Sequence, residues 1–210
     1  MLTLFDFTLA PSPRRARIFL AEKGVEYTKV QIDLAIGEHL LPAFRAINPS
    51  CTVPALRLDD GTVISENAGI AAYLEAEYPD PPLLGRTPLE KGLVASWNAR
   101  VEYEGLMAVA EALRNSAPGL KDRSLTGAVN FVQVPALAER GVHRIWLFFD
   151  MLEARLDGRD FVATDHFTVA DITAVVTLDF ARVVRCKPKL EHTNIARWRA
   201  ALAQRPSLAA

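Results

Sequence analysis

An α/β first half followed by an all-helical second half is the fold class that the sequence predicts. Three observations predict it. Short β-prone runs alternate with helical patterns as far as Tyr78. A cluster of Pro79, Pro81, Pro82, Gly85 and Pro88 then interrupts the chain. Beyond that cluster strand signals almost vanish, and apolar residues recur at helical spacing. The expected organisation is therefore a first domain at 1–78, a linker at 79–88 and a helical domain at 89–210.

In the first half, Leu2 to Phe7 is apolar and β-prone, and reads as a buried strand. The Pro11-Ser12-Pro13 turn ends it. A helix is expected from about Pro13 to Lys23, with Ala16, Phe19 and Leu20 inward and Gly24 as its stop. Tyr27 to Ile32 reads as a second strand, and a loop with a short helix near Glu38 to Ala46 comes next. Two apolar runs then flank Asp59-Asp60-Gly61, which is the pattern of a hairpin. Ser65-Glu66-Asn67 opens a helix that carries Ile70, Tyr73 and Leu74 on its apolar stripe. The order βαβ, helix, ββα is the thioredoxin-like arrangement.

The second half is expected to be helical from Leu89 to Ala117, where Pro118-Gly119 breaks it. A further helix is expected from about Pro135 to Leu156, with Ile145, Phe148, Phe149 and Leu152 on one face. The last two are expected at Val169 to Val184 and Thr193 to Gln204. Thr168 and Asp171 have the spacing of a capping box, with Phe167 and Ile172 placed as a hydrophobic staple. We read that group as structural and assign Asp171 no catalytic role.

Composition excludes several classes. The chain has 210 residues, a formal net charge of −1, 50% hydrophobic and 23% charged residues. That balance offers no general attraction for nucleic acid or an anionic membrane. No apolar run reaches the roughly 18 residues of a spanning helix, and MLTLFDF reads as a strand rather than a leader. Cys51 and Cys186 form no CxxC or zinc pattern, which fits reduced thiols in a cytoplasm. His143, His166 and His192 show no metal spacing, so no metal is expected. Arg14, Arg15 and Arg17 read as a solvated helix face, and His39 as a surface histidine.

The most informative stretch runs from Asn48 to Leu74. Pro54 has no N–H and belongs at a strand start, which leaves the Val53 backbone groups open to an extended peptide. The helix opening at Glu66-Asn67 offers N–H groups and a positive dipole end, a seat for a carboxylate. Asn48-Pro49, Val53-Pro54, Glu66-Asn67-Ala68-Gly69-Ile70 and Tyr73-Leu74 together resemble the glutathione-binding half of a bacterial, cytosolic-type glutathione S-transferase. The resemblance extends over nearly the whole chain.

The resemblance implies that the loop proline, Pro54, is cis. It implies further that Val53 pairs with glutathione through its backbone, that Glu66 and Asn67 hold the γ-glutamyl end, and that Thr52 touches the ligand. Asn67 departs from the usual serine but keeps the backbone donor. Many bacterial relatives place a catalytic serine where this chain has Ala10. Ser12 falls where cysteine-type enzymes carry their cysteine, and is our candidate catalytic residue; Thr8 and the helix N–H groups are the alternatives, and helix capping is the competing role for Ser12. Cys51, where glycine is common, is a small buried filler or forms a mixed disulfide with glutathione. Tyr103, Leu106 and Met107 are candidates to line the site of a second, small hydrophobic substrate. The implied activity is addition of the glutathione thiolate to that electrophile, glutathione acting as co-substrate, in a cytoplasmic homodimer. A glutathione-dependent disulfide reductase or peroxidase, and a non-catalytic ligand-holding or protein-interaction module, stay open as alternatives.

Overall fold

The computed structural model describes residues 1–210. Contacts divide it into two compact units, Met1–Pro81 with Leu125–Asn130 and Ala210, and Pro82–Ser124 with Phe131–Ala209. No helix is long and apolar enough to cross a membrane.

The first unit is built on a four-stranded sheet of order β2-β1-β3-β4, from β1 (Thr3–Asp6), β2 (Thr28–Gln31), β3 (Ala55–Arg57) and β4 (Val63–Ser65). Helix α1 (Pro11–Glu22) links β1 to the parallel β2. A 3-10 turn at Glu38–Leu40 and the short α2 (Pro42–Arg45) lead to β3, and α3 (Asn67–Glu77) comes after β4. β3 runs antiparallel to both β1 and β4. The hairpin turn has Gly61 at φ 90°, with the Asp60 carboxylate accepting from the Thr62 N–H at 2.8 Å. Phe5, Ile32, Phe44 and Ala55 form one buried cluster of this unit. Lys23, at the end of α1, pairs with Glu75 of α3 at 2.6 Å and donates to the Pro81 carbonyl.

The second unit is helical: α4 (Pro88–Arg100), α5 (Met107–Arg114), α6 (Pro135–Arg155), α7 (Val169–Ala181) and α8 (Thr193–Leu202). The expected helix from Leu89 onward is continuous but not uniform, because a π-helical segment at Val101–Leu106 joins α4 to α5. Gly105 lies in that segment, where an added Cβ would meet the Phe148 ring at 2.8 Å. The sole β-pairing in this unit is an isolated bridge between Arg123 and Phe131.

Helix α7 is the buried centre of the unit; ten of its residues are buried, among them Ile172, Val175, Val176 and Leu178. Its start is the expected capping box. The Asp171 carboxylate accepts from the Thr168 N–H at 3.0 Å and hydroxyl at 3.1 Å, and also from the Val162 N–H at 2.8 Å and Trp198 Nε1 at 3.3 Å. Phe167 and Ile172 are both buried, as a staple requires.

Two expectations are corrected. Arg15 and Arg17 are 6% and 5% exposed, so the basic cluster is not a solvated face. Arg17 is buried because it pairs with the Asp6 carboxylate, a partner that helix periodicity on its own does not reveal. His39 is likewise buried, on the 3-10 turn.

Candidate functional site

The sheet topology brings the candidate residues together. Because β3 is antiparallel to β1 and β4, the end of β1, the start of β3 and the end of β4 share one edge of the sheet. The heads of α1 and α3 therefore open at that same edge. Leu56 faces Ile64 and Ala55 faces Ser65, and extending that register by two residues sets Val53 across from Asn67. The pairing of Phe5 with Ala55, extended the same way, sets Val53 across from Phe7, where the β1–α1 loop begins.

The Val53–Pro54 peptide is cis. Neither the N–H nor the C=O of Val53 is hydrogen-bonded within the chain, and Val53 is half-buried. A backbone donor and acceptor side by side without partners are what an added extended peptide pairs with. The preceding loop is held rigid by Asn48, whose Nδ2 donates to the Thr52 carbonyl at 2.8 Å and to its hydroxyl at 3.2 Å.

At the head of α3, Glu66 is the N-cap residue, at φ 65° and ψ 139°, and its side chain is exposed and makes no cap hydrogen bond. The first intrahelical bond runs from the Ile70 N–H to the Glu66 carbonyl at 3.0 Å. The N–H groups of Asn67, Ala68 and Gly69 thus have no acceptor in the chain. Three convergent donors at a positive helix end suit a carboxylate.

The head of α1 differs from the sequence expectation. The helix begins at Pro11, with Ala10 as N-cap, so Ser12 is the second helical residue and does not cap. Ser12 is half-buried, and its side chain makes no cap hydrogen bond and has no partner within the chain. Pro11 and Pro13 carry no N–H, and the Arg14 N–H is taken by the Ala10 carbonyl at 3.4 Å. In the first turn of α1 the open donors are therefore the Ser12 N–H and its Oγ. The Thr8 hydroxyl donates to Gln31 Oε1 at 3.0 Å and is already engaged.

Cys51 is 1% exposed at φ 55°, with Sγ donating to the Pro49 carbonyl at 3.6 Å. A thiol enclosed in this way fits a filler, not a mixed disulfide. In the helical unit, Leu106 is 4% exposed and belongs to the core. Tyr103 is 71% exposed and lines a cavity of about 240 Å³ with Glu104, Arg144, Leu147 and Phe148. Glu90, Asp165 and His166 place ligand atoms within 4.8 Å of one another. Each already has a protein partner: the Arg86 N–H, the Arg86 guanidinium and the Pro82 carbonyl respectively.

Comparison with known proteins decides the family. Residues 10–77 match the model of the glutathione S-transferase N-terminal domain, and residues 133–206 that of the C-terminal domain. The chain is 36% identical over 209 residues to glutathione S-transferase 2 of Saccharomyces cerevisiae, covering 99% of this chain and 88% of that protein. The chain belongs to the glutathione S-transferase family. Among solved structures, Gtt2 of Saccharomyces cerevisiae aligns with TM-score 0.90 and 36% identity over 99% of this chain and 98% of the other. A glutathione S-transferase domain-containing protein of Marinobacter aquaeolei aligns with TM-score 0.89 and 35% identity, covering 98% and 99%. The thioredoxin-like first unit and the helical second unit are thus those of a glutathione S-transferase, and the chain is a glutathione S-transferase-like enzyme.

Among the candidate residues, Val53, Glu66, Asn67 and Ser12 come to one sheet edge, with Thr52 beside them. Sequence reading missed the alternation Pro11-Ser12-Pro13 as a filter on helix donors. The signal was present, because proline at a helix head removes one N–H each time.

Proposed function

We propose that this glutathione S-transferase binds glutathione along Val53, seats the γ-glutamyl carboxylate on the head of α3, and adds the sulfur to a small hydrophobic electrophile. The observation that carries this reading is the unpaired Val53 backbone opposite the three open donors of Asn67, Ala68 and Gly69. Glu66 would face the ligand's ammonium, and Thr52, the neighbour of Val53, would touch the ligand. Residues 1–78 are the glutathione-binding domain in this account, and 89–210 the helical one.

A free cysteine thiol has a pKa near 8.5, so the site must favour the anion. A hydrogen bond from an uncharged donor to a thiolate stabilises it, and Ser12 offers both Oγ and N–H. Proximity supplies much of the remaining acceleration. The buried Cys51 gives no support to a disulfide-reductase variant. A homodimer in the cytoplasm is carried over from the family resemblance, and sedimentation of the purified protein checks the dimer.

Thermal melting with millimolar glutathione is expected to raise the midpoint. Ala68→Pro removes one carboxylate donor at a helix position that tolerates proline, as Pro11 and Pro13 do in α1. A hydrogen bond to a charged group contributes about 1.5–3 kcal/mol, so glutathione Kd should rise about 10- to 100-fold. Ser12→Ala should lower kcat with a generic aryl halide by about 10-fold while KM for glutathione stays within about twofold. No melting shift in the wild type favours a non-catalytic module, and an unchanged rate in Ser12→Ala removes Ser12 from the mechanism.

A further inference from the structure

Strand β1 ends in Asp6, whose carboxylate is fully buried. Its Oδ1 is paired with Arg17, and its Oδ2 is buried with no hydrogen-bond partner. Arg17 comes from the middle of α1 and is 5% exposed. Its second guanidinium nitrogen donates to the Thr8 carbonyl at 3.0 Å. One planar cation thus ties the end of the strand to the loop after it.

That tie has a directional consequence. The Thr8–Leu9 peptide is trans and planar, so its C=O and N–H point opposite ways. With the carbonyl drawn inward onto Arg17, the Leu9 N–H is turned outward. Leu9 is 84% exposed, and its N–H has no acceptor in the chain. The next N–H, of Ala10, is consumed by the Phe7 carbonyl at 2.9 Å. Beyond it come Pro11, Ser12 and Pro13, of which Ser12 alone has an N–H. The loop therefore presents backbone donors at Leu9 and Ser12 on either side of Ala10, a residue with no hydroxyl.

We propose that Arg17 is the positioning residue of the thiolate-holding loop: by gripping the Thr8 carbonyl it fixes the peptide that offers the Leu9 N–H, beside Ser12, to the glutathione sulfur. The inference rests on the proposed glutathione binding and assigns the work of the absent side-chain hydroxyl to backbone donors set by a buried guanidinium. Arginine is required because its fork reaches two acceptors in different directions, whereas an ammonium is a single point charge.

Two variants test it. Arg17→Lys keeps a cation opposite Asp6 but loses the second arm of the fork. Arg17→Met combined with Asp6→Leu removes both charges, so that no buried carboxylate is stranded and the fold has an apolar replacement for the pair. The readout is the thiolate absorbance of bound glutathione titrated between about pH 5 and 9, together with steady-state rates. Both variants are expected to bind glutathione, with KM within about twofold of wild type. Their bound thiol should titrate about one pH unit higher, with kcat near neutral pH lower by about 10-fold. Variants that bind with an unchanged thiol titration, or that raise KM while keeping kcat, overturn the assignment of Arg17 alone. A wild-type protein that binds no glutathione overturns the glutathione reading and this inference with it.

Discussion

Asp171→Ala is expected to lower stability by about 3–5 kcal/mol, the largest loss from any single side-chain truncation considered for this chain. The residue is fully buried and receives four donors, from Val162, from Thr168 twice and from Trp198. Alanine leaves those donors without an acceptor in a dry interior, and each buried orphan costs about 1–3 kcal/mol. For a chain of this size the melting midpoint should fall by roughly 10 °C.

The same site gives a pH dependence of known sign. Burial pushes the Asp171 carboxyl up to about 6, against the pull of its hydrogen bonds. An unfolded aspartate titrates near 3.9. The folded state therefore binds the extra proton between those two values. Its stabilising contribution is full below about pH 4 and is lost as pH rises through about 6. The amplitude is about 3 kcal/mol. Asp171→Asn cannot titrate, so the stability of the wild type relative to that variant, measured by denaturant melts, should fall from pH 4 to pH 7. A difference that is flat across this range removes the pH dependence while leaving the alanine prediction standing.

Gly141→Val is the second large effect. Gly141 sits within α6, and a Cβ there would stand 2.6 Å from the Ala112 N and 2.8 Å from the Ala108 O. Those are backbone atoms of α5, so relief requires one helix to move rather than a side chain to swing. Glycine costs about 1 kcal/mol against alanine inside a helix, and that gain is outweighed by the clash. We expect a net loss of about 2–4 kcal/mol for valine. Gly92 in α4 is the control, since nothing lies within 4 Å of its added Cβ. Gly92→Ala should stabilise by about 0.5–1 kcal/mol. Equal responses at the two positions in thermal melts would show that helix propensity, not the close approach, sets the outcome.

Much of the site was legible in the sequence because it depends on backbone. The proposed roles of Val53-Pro54 and Glu66-Asn67 rest on N–H and C=O groups whose availability comes from proline and from helix starts, both of which are local features. The capping box at Thr168 and Asp171 was legible for the same reason. The errors fall on side chains whose environment is set by distant residues. Arg17 looked solvated because its partner, Asp6, is on a strand and not on its own helix. The helix start was expected at about Pro13 and lies at Pro11, so the capping role that competed with catalysis for Ser12 falls away. Leu106 and Tyr103 looked alike, yet one is core and the other exposed, since a π-helical segment shifts the faces that a uniform helix would present.

By itself the sequence determined the order of elements, the division into an α/β and a helical part, and the segment whose backbone is left open at Val53, because periodicity, turn chemistry and proline act over a few residues. Only the tertiary structure decided which helix head keeps open donors beside Val53, which arginine is buried against a strand end, and where α5 and α6 touch through Gly141. Those depend on strand register and helix packing, which join residues far apart in the chain and leave no local pattern to read.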